Sequence, residues 1–462
     1  MSEKRLAPFR PSASNLFDRR KAAHLIRRAG FGASAEAVEK AVASGLEETV
    51  ERLFEEAEQE EAAYEQTFQA INGKFTNFAD AGAVKAWWVY RMATTTVPLR
   101  EKLTLFWHGH FATSVDKVED PALSHRQLAT LRKLAWGNFR ELVLAMAKDP
   151  AMLVWLDGES NTKEHPNENF ARELMELFTC GIGHYTETDV KEAARAFTGW
   201  NHDNGEFEFV AEDHDGGVKQ FLGKSGRFDG ADVVDILMQQ PATPRFLAGK
   251  LLRFFAAPAP ADDVVDEAAE LLDRTRLHIK WFLRDLFLSE YFHSADCYRA
   301  RIASPAELVV GTVRTLGISW PAPQLVEQLE DMGQSLLEPP NVKGWDGEAK
   351  WINSTSWAAR VAFADQIAEL NGEGLFASRL DPGVVIPRDA KDPEAALDRL
   401  LMLLQLDDLA PEARRGLIEH AIASEEGSDS GRGRFRDDDA FRSSKIRSLL
   451  AVVLGLPEYQ VY

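Results

Sequence analysis

Apolar residues recurring at helical spacing, closed by recognisable caps, fill nearly the whole chain and restrict it to a mainly α architecture. Ser34 precedes AEAVEKAVAS and Gly45 follows it, pairing a side-chain N-cap with a C-terminal glycine. Pro98 starts LREKLTLFW and Pro121 starts ALSHRQLATLRKLAW, where the missing N–H of proline costs a helix nothing. Thr186 and Asp189 form a capping-box pattern before VKEAARAFTGW. About fifteen to twenty helices of ordinary length fit the periodic segments. The absence of a repeat period argues against a solenoid and for one large multi-helix globular body. At 462 residues and 45% apolar content, the chain can bury one large core or two to three smaller ones.

The pattern divides the chain. Residues 1–21 read as an N-terminal tail and 22–200 as a helical core. Residues 201–230 are rich in Gly and Asp, with alternating runs at Glu206–Val210 and Val218–Leu222, and are expected to form a small β-hairpin or irregular insert. Residues 231–423 return to helical patterning, interrupted at 334–353 by a Pro/Gly/Trp loop whose prolines and glycines cannot sit inside a helix. The polar stretch 424–439 is expected to be a flexible linker, and 440–462 a C-terminal helix that docks on the body.

A net charge of -20 repels phosphate backbones, so nucleic acid is not an expected partner. Arg19, Arg20, Lys21, Arg27 and Arg28 are interleaved with apolar residues and read as the exposed side of an opening helix. Cys180 and Cys297 are too few for a disulfide framework or finger-type zinc. No apolar run reaches the roughly 18 to 20 residues of a membrane span, and MSEKRLAPFRPSASN lacks the apolar stretch of a secretory signal. As it stands, the sequence reads as cytoplasmic. Phosphate-binding, dinucleotide-binding, GxSxG and HExxH motifs are all missing.

Chemistry-bearing residues concentrate in four places. On a regular helix over NENFARELMELF, Glu168, Asn169, Arg172, Glu173 and Glu176 share an arc of about 140°, opposite Phe170, Leu174, Leu177 and Phe178. Crowded carboxylates of this kind either hold a hard cation, keep one carboxyl protonated for acid–base work, or form a solvated face laced by Glu–Arg pairs. In LTLFWHGHF, His110 falls on the stripe of Leu103, Phe106 and Trp107 while His108 points away from it. Either imidazole is a metal ligand or a hydrogen-bonded core histidine. In the insert, His214 beside Asp215 suits base or metal duty, or the capping of a turn. The loop adds Gln334, Asn341, Trp345, Trp351 and Asn353, a mix of amides and aromatic faces that suits sugars if exposed and anchors the loop if buried.

These segments have a family resemblance. HLIRRAGFG from His24, PLREKLTLFWHGHFATS, DPAMLVWLDG, NENFARELMELFTCGIGHYTETDVKEAARAFTGW, HDGGVKQFLG, GQSLLEPPNVKGW, WINS and GLPEYQ resemble, in order, the motifs of the domain of unknown function 1800 family. The resemblance runs from about residue 22 to the C-terminus and marks His110, Asn167, Glu168, Asn169, Arg172, Glu173, Glu176, Arg195, Trp200, His214, Asp215, Gln334, Asn341 and Trp345 as motif positions. It implies a bacterial protein without an established activity, often exported and in some cases encoded near a sulfatase-like protein. Gly109 stands where the pattern leads one to expect Asn, Cys180 where it has Leu, and Asp346 where it has Pro.

The expectation is therefore an acid–base enzyme, with metal assistance as an option, acting on a carbohydrate or other polar polymer. Glu173, Glu176, His214 and Arg172 would be its catalytic groups. Asn167, Glu168, Asn169, Arg195, Trp200, Gln334, Asn341, Trp345, Trp351 and Asn353 would bind substrate. His108, His110 and Asp215 would hold any divalent metal. The alternative is a non-catalytic binding or assembly protein that uses the aromatic loop as its contact surface. A saccharide or a sulfatase-like protein is the partner these readings imply, and the oligomeric state is open.

Overall fold

The computed structural model describes residues 5–55, 78, 80–370, 380, 382–386, 390–425 and 427–462. It is mainly α-helical, with two small antiparallel hairpins as its β-structure among the described residues. The caps read from sequence are in place: Ser34 Oγ accepts from Ala37 N, Pro98 and Pro121 open their helices, and Thr186 and Asp189 form a reciprocal capping box.

Among the described residues two large apolar cores form, with a small cluster of Val118, Leu123 and Ala151 besides. The first gathers residues from Phe9 to Cys297, and the second joins the Ala81–Thr94 helix to residues 303–462. The Pro98–His110 helix lies between them. It gives Leu99, Leu103, Phe106 and Trp107 to the first core and Leu105 to the second. At the junction, Lys102 Nζ donates to Glu307 Oε1 at 2.5 Å, and both side chains are fully buried. Arg301 bonds the same carboxylate oxygen and also reaches Glu348.

The expected small β insert is present, and three other expectations need correction. The alternating runs near 206 and 218 each pair with a neighbouring strand rather than with each other. Trp200–Asp203 pairs with Glu206–Phe209 (strands β1 and β2), and Lys219–Phe221 pairs with Lys224–Gly226 (β3 and β4). The first turn is Asn204-Gly205, both at positive φ, the pair that two-residue hairpins favour. The N-terminal segment is docked rather than free from Arg5 onward: Phe9 N donates to Leu288 O at 2.7 Å and Glu290 N to Ala7 O at 2.8 Å. Residues 428–437, expected as a linker, form a helix that buries Phe435, whose packing against the second core outweighs its polar, Gly-containing composition. Arg28, assigned to an exposed helix side, is buried and donates to Ala256 O and Cys297 O.

Candidate functional site

The carboxylate-bearing segment is not a regular helix. Asn169–Glu173 is α-helical, and Leu174–Thr179 widens into a π turn in which Cys180 N donates to Met175 O. A π turn shifts the register of side chains beyond it, so Glu176 leaves the row projected from uniform helical spacing. The last carbonyls of this segment are satisfied from outside. His110 Nε2 donates to Phe178 O at 3.0 Å, and Lys250 Nζ donates to Leu177 O at 2.9 Å.

Most polar groups of the segment are tied locally. Asn167 Oδ1 accepts from Asn169 N, and its backbone N donates to Asn161 Oδ1. Asn169 Nδ2 donates to Asp157 Oδ2. Arg172 donates to Glu168 at 3.1 Å and grips both oxygens of Glu187 at 2.8 and 2.7 Å. Arg172, expected among the catalytic groups, is therefore already matched by two carboxylates.

Glu173 and Glu176 behave differently. Tyr185 Oη donates to Glu176 Oε2 at 2.8 Å. Glu173 is half-buried and has no hydrogen bond or ion pair within 4 Å among the described residues. Burial and then the neighbouring Glu176 charge raise its pKa above the ordinary 4.5, against weaker pulls from Arg172 and Lys343. Burial and the bond to Glu176 push Tyr185 up to about 12, so it stays a donor. Lys343 brings in the 334–353 loop, whose next residue packs closely on the histidine helix. A Cβ on Gly344, at φ +79°, would stand 2.3 Å from Gly109 O.

The histidine helix closes the underside. His110 Nδ1 accepts from Lys250 Nζ at 3.2 Å, so its ring is neutral with the proton on Nε2, and burial holds its pKa well down. Burial, reinforced by Arg253, lowers the Lys250 pKa to about 7. His108 is buried as well, facing the second core. Its Nε2 accepts from Leu337 N and its ring meets Trp88 and Trp345. Lys250 is a group that sequence reasoning missed. Its signal was a lysine between Leu247 and Leu251 in the apolar run FLAGKLLRFF. Tyr185 and Lys343 carried no comparable signal, since each acts through a contact distant in sequence or in another loop.

The insert does not join this group. His214 Nδ1 donates to Thr198 O at 2.9 Å, and Asp215 accepts from Arg195 Nε at 2.7 Å. The Arg195 charge holds Asp215 below its usual range, and Arg195 is also paired with Glu192. Among the described residues no hydrogen bond, ion pair or ring contact links His214 or Asp215 to Glu173, Glu176 or the loop. His108, His110 and Asp215 sit in three separate networks, and no group of three His, Cys, Asp or Glu among the described residues could share a cation.

Several expected substrate contacts are structural. Gln334 Oε1 accepts from Ala306 N, and Asn353 caps the helix Ser354–Glu369. Asn341 Oδ1 turns the loop by accepting from Lys343 N. Trp200 packs between Phe197 and Phe207, and Trp351 is only 8% exposed, so neither offers a free ring face. Trp345 is half-buried beside His108.

No helix among the described residues is long and apolar enough to cross a membrane. No curated protein and no solved structure matches the chain. A family model described as a protein of unknown function, DUF1800, matches residues 24–461, nearly the whole chain, and the chain belongs to that family.

Proposed function

We propose that the chain is an acid–base catalyst acting on a hydroxyl-rich polar substrate such as a carbohydrate chain, with Glu173 as its proton donor. The observation that carries this reading is the Glu173–Glu176 pair: one carboxyl whose pKa is raised by burial and by its neighbour, the other accepting a hydrogen bond from a tyrosine hydroxyl. In this arrangement Glu173 delivers a proton to a leaving oxygen, and Glu176 stabilises positive charge or accepts a proton from water. Lys343 and Trp345 bring a cation and an aromatic ring from the loop to the same end of the histidine helix. His214, Asp215 and Arg195 shape the insert rather than the chemistry. The net charge of -20 argues against nucleic acid as the polymer. A sulfatase-like partner protein rests on resemblance alone.

A second reading, a non-catalytic binding or assembly protein, is favoured by the engagement of Asn167, Asn169, Arg172, Arg195 and Asp215 in internal bonds. One experiment separates the two. Purified wild type and Glu173→Gln are incubated with a panel of neutral and acidic polysaccharides, reading reducing ends for turnover and affinity electrophoresis for binding. Turnover lost in Glu173→Gln supports the catalyst. Binding by both proteins without turnover supports the second reading, and turnover unchanged in Glu173→Gln overturns the assignment of the proton donor.

A further inference from the structure

The opening helix Arg19–Ala29 borders a small cleft of about 30 Å³, partly open to solvent, whose walls include Arg19, Arg20, Arg27 and Arg299. Four guanidinium groups around one depression are unexpected in a chain of net charge -20. Asp407 is the one carboxylate in its lining.

These cations are held in place without their donors being used up. The Arg20 guanidinium stacks on the Tyr298 ring at 3.6 Å, and Arg27 lies over Tyr462 at 4.3 Å. Among the described residues Arg27 makes one hydrogen bond, from Nη2 to Val461 O. Arg20 forms a long ion pair with Asp408 at 3.9 Å and Arg19 one with Glu39 at 3.7 Å, both beyond hydrogen-bond distance, so their N–H groups are not committed to these carboxylates. Arg299 is the anchored member, bonded to Asp408 and Gln405 O. Planar groups fixed by aromatic stacking, with N–H donors still free, form a receptor organised before its ligand arrives. His24 at the floor donates to Phe292 O and is kept neutral by burial, so it adds shape and no charge.

We infer that this cleft binds the phosphate group of a small ligand, with Arg20 and Arg27 gripping the oxyanion and Arg19 completing the positive rim. Arginine forks match phosphate oxygens two at a time, which a lysine cluster would not do. An adjoining depression of about 220 Å³ shares Arg20, His24 and Tyr298 and adds Lys21 and Asn15, leaving room for an organic group attached to the phosphate. No residue of this cleft belongs to the Glu173–Glu176 site, so the inference stands apart from the proposed chemistry.

Isothermal titration of the full chain with inorganic phosphate and with a sugar phosphate, at constant ionic strength set by sodium chloride, tests it. Binding of either is expected, weakened about tenfold or more in Arg20→Gln and further in Arg20→Gln/Arg27→Gln. Tighter binding of the ester assigns the cleft to a phosphomonoester, and equal binding assigns it to the free ion. Arg20→Gln alone keeps the test valid if the double variant misfolds, because Arg20 is half-exposed and makes no hydrogen bond among the described residues. Absence of binding by either probe, or binding undiminished in a folded Arg20→Gln, overturns the inference.

Discussion

Removing the carboxylate of Glu307 should destabilise the protein more than removing the ammonium of Lys102, although the two face each other across one short bond. Glu307 Oε1 accepts from Lys102 and from Arg301, and Oε2 accepts from Ser304 N to complete a capping box. The surrounding cations hold its pKa well below the carboxylate range despite complete burial. Lys102 shares that single carboxylate with Arg301 and lies near Arg28, and burial lowers its pKa to about 8. In Glu307→Met, Lys102 keeps only the faces of Phe31, Phe254 and Tyr462, and a buried charge left unpaired costs about 3–5 kcal/mol. In Lys102→Met, Glu307 keeps Arg301 and Ser304, so the loss is that of one charged hydrogen bond, about 1.5–3 kcal/mol. The double variant removes both charges and should be more stable than Glu307→Met. Urea unfolding at pH 7, followed by tryptophan fluorescence and far-ultraviolet circular dichroism, measures all three; two transitions would be fitted separately because the two cores need not unfold together. A Glu307→Met loss no larger than that of Lys102→Met, or strictly additive losses in the double variant, would refute the reasoning.

Other consequences are open to test. Gly344→Ala should lower the melting temperature, since its Cβ meets Gly109 O at 2.3 Å and its φ is +79°, whereas Gly109→Ala meets nothing within 4 Å and should raise helix stability by about 0.5–1 kcal/mol. Equal effects of the two would contradict the close approach of loop and helix. Thr186→Ala should cost about 0.5–2 kcal/mol through loss of its capping box, read by denaturant unfolding. Lys250 releases its proton near pH 7 when folded but only near 10.5 when unfolded, so the unfolded chain binds more protons between these values. Wild type should therefore gain stability relative to Lys250→Met as pH rises from 7 toward 10, and a flat difference would show that Lys250 is not desolvated.

The helices and their caps were legible because they depend on neighbours within four residues, as at Ser34, Pro98 and Thr186. The β insert was legible as two alternating runs, which are strands β2 and β3, but their pairing with flanking strands through separate turns was not. The carboxylate row was only half legible. Uniform spacing predicts one face through Glu176, whereas a π turn intervenes and its terminal carbonyls are met by Lys250 and His110, distant in sequence. Arg172 was expected to serve a site, yet its main partner is Glu187, on the following helix. The Gly427-led helix at 428–437 has no side-chain N-cap and exists by docking Phe435, information that only the folded second core contains.

The central claim is that burial and the neighbouring Glu176 raise the pKa of Glu173, so that it can serve as proton donor. Infrared difference titration of wild type against Glu173→Gln, with Glu carboxyls isotopically labelled, reads that proton directly. A carboxyl titrating above 4.5, absent in Glu173→Gln and moved downward in Glu176→Gln, is the result predicted. A Glu173 that titrates at or below 4.5, or that ignores the Glu176 substitution, contradicts the account.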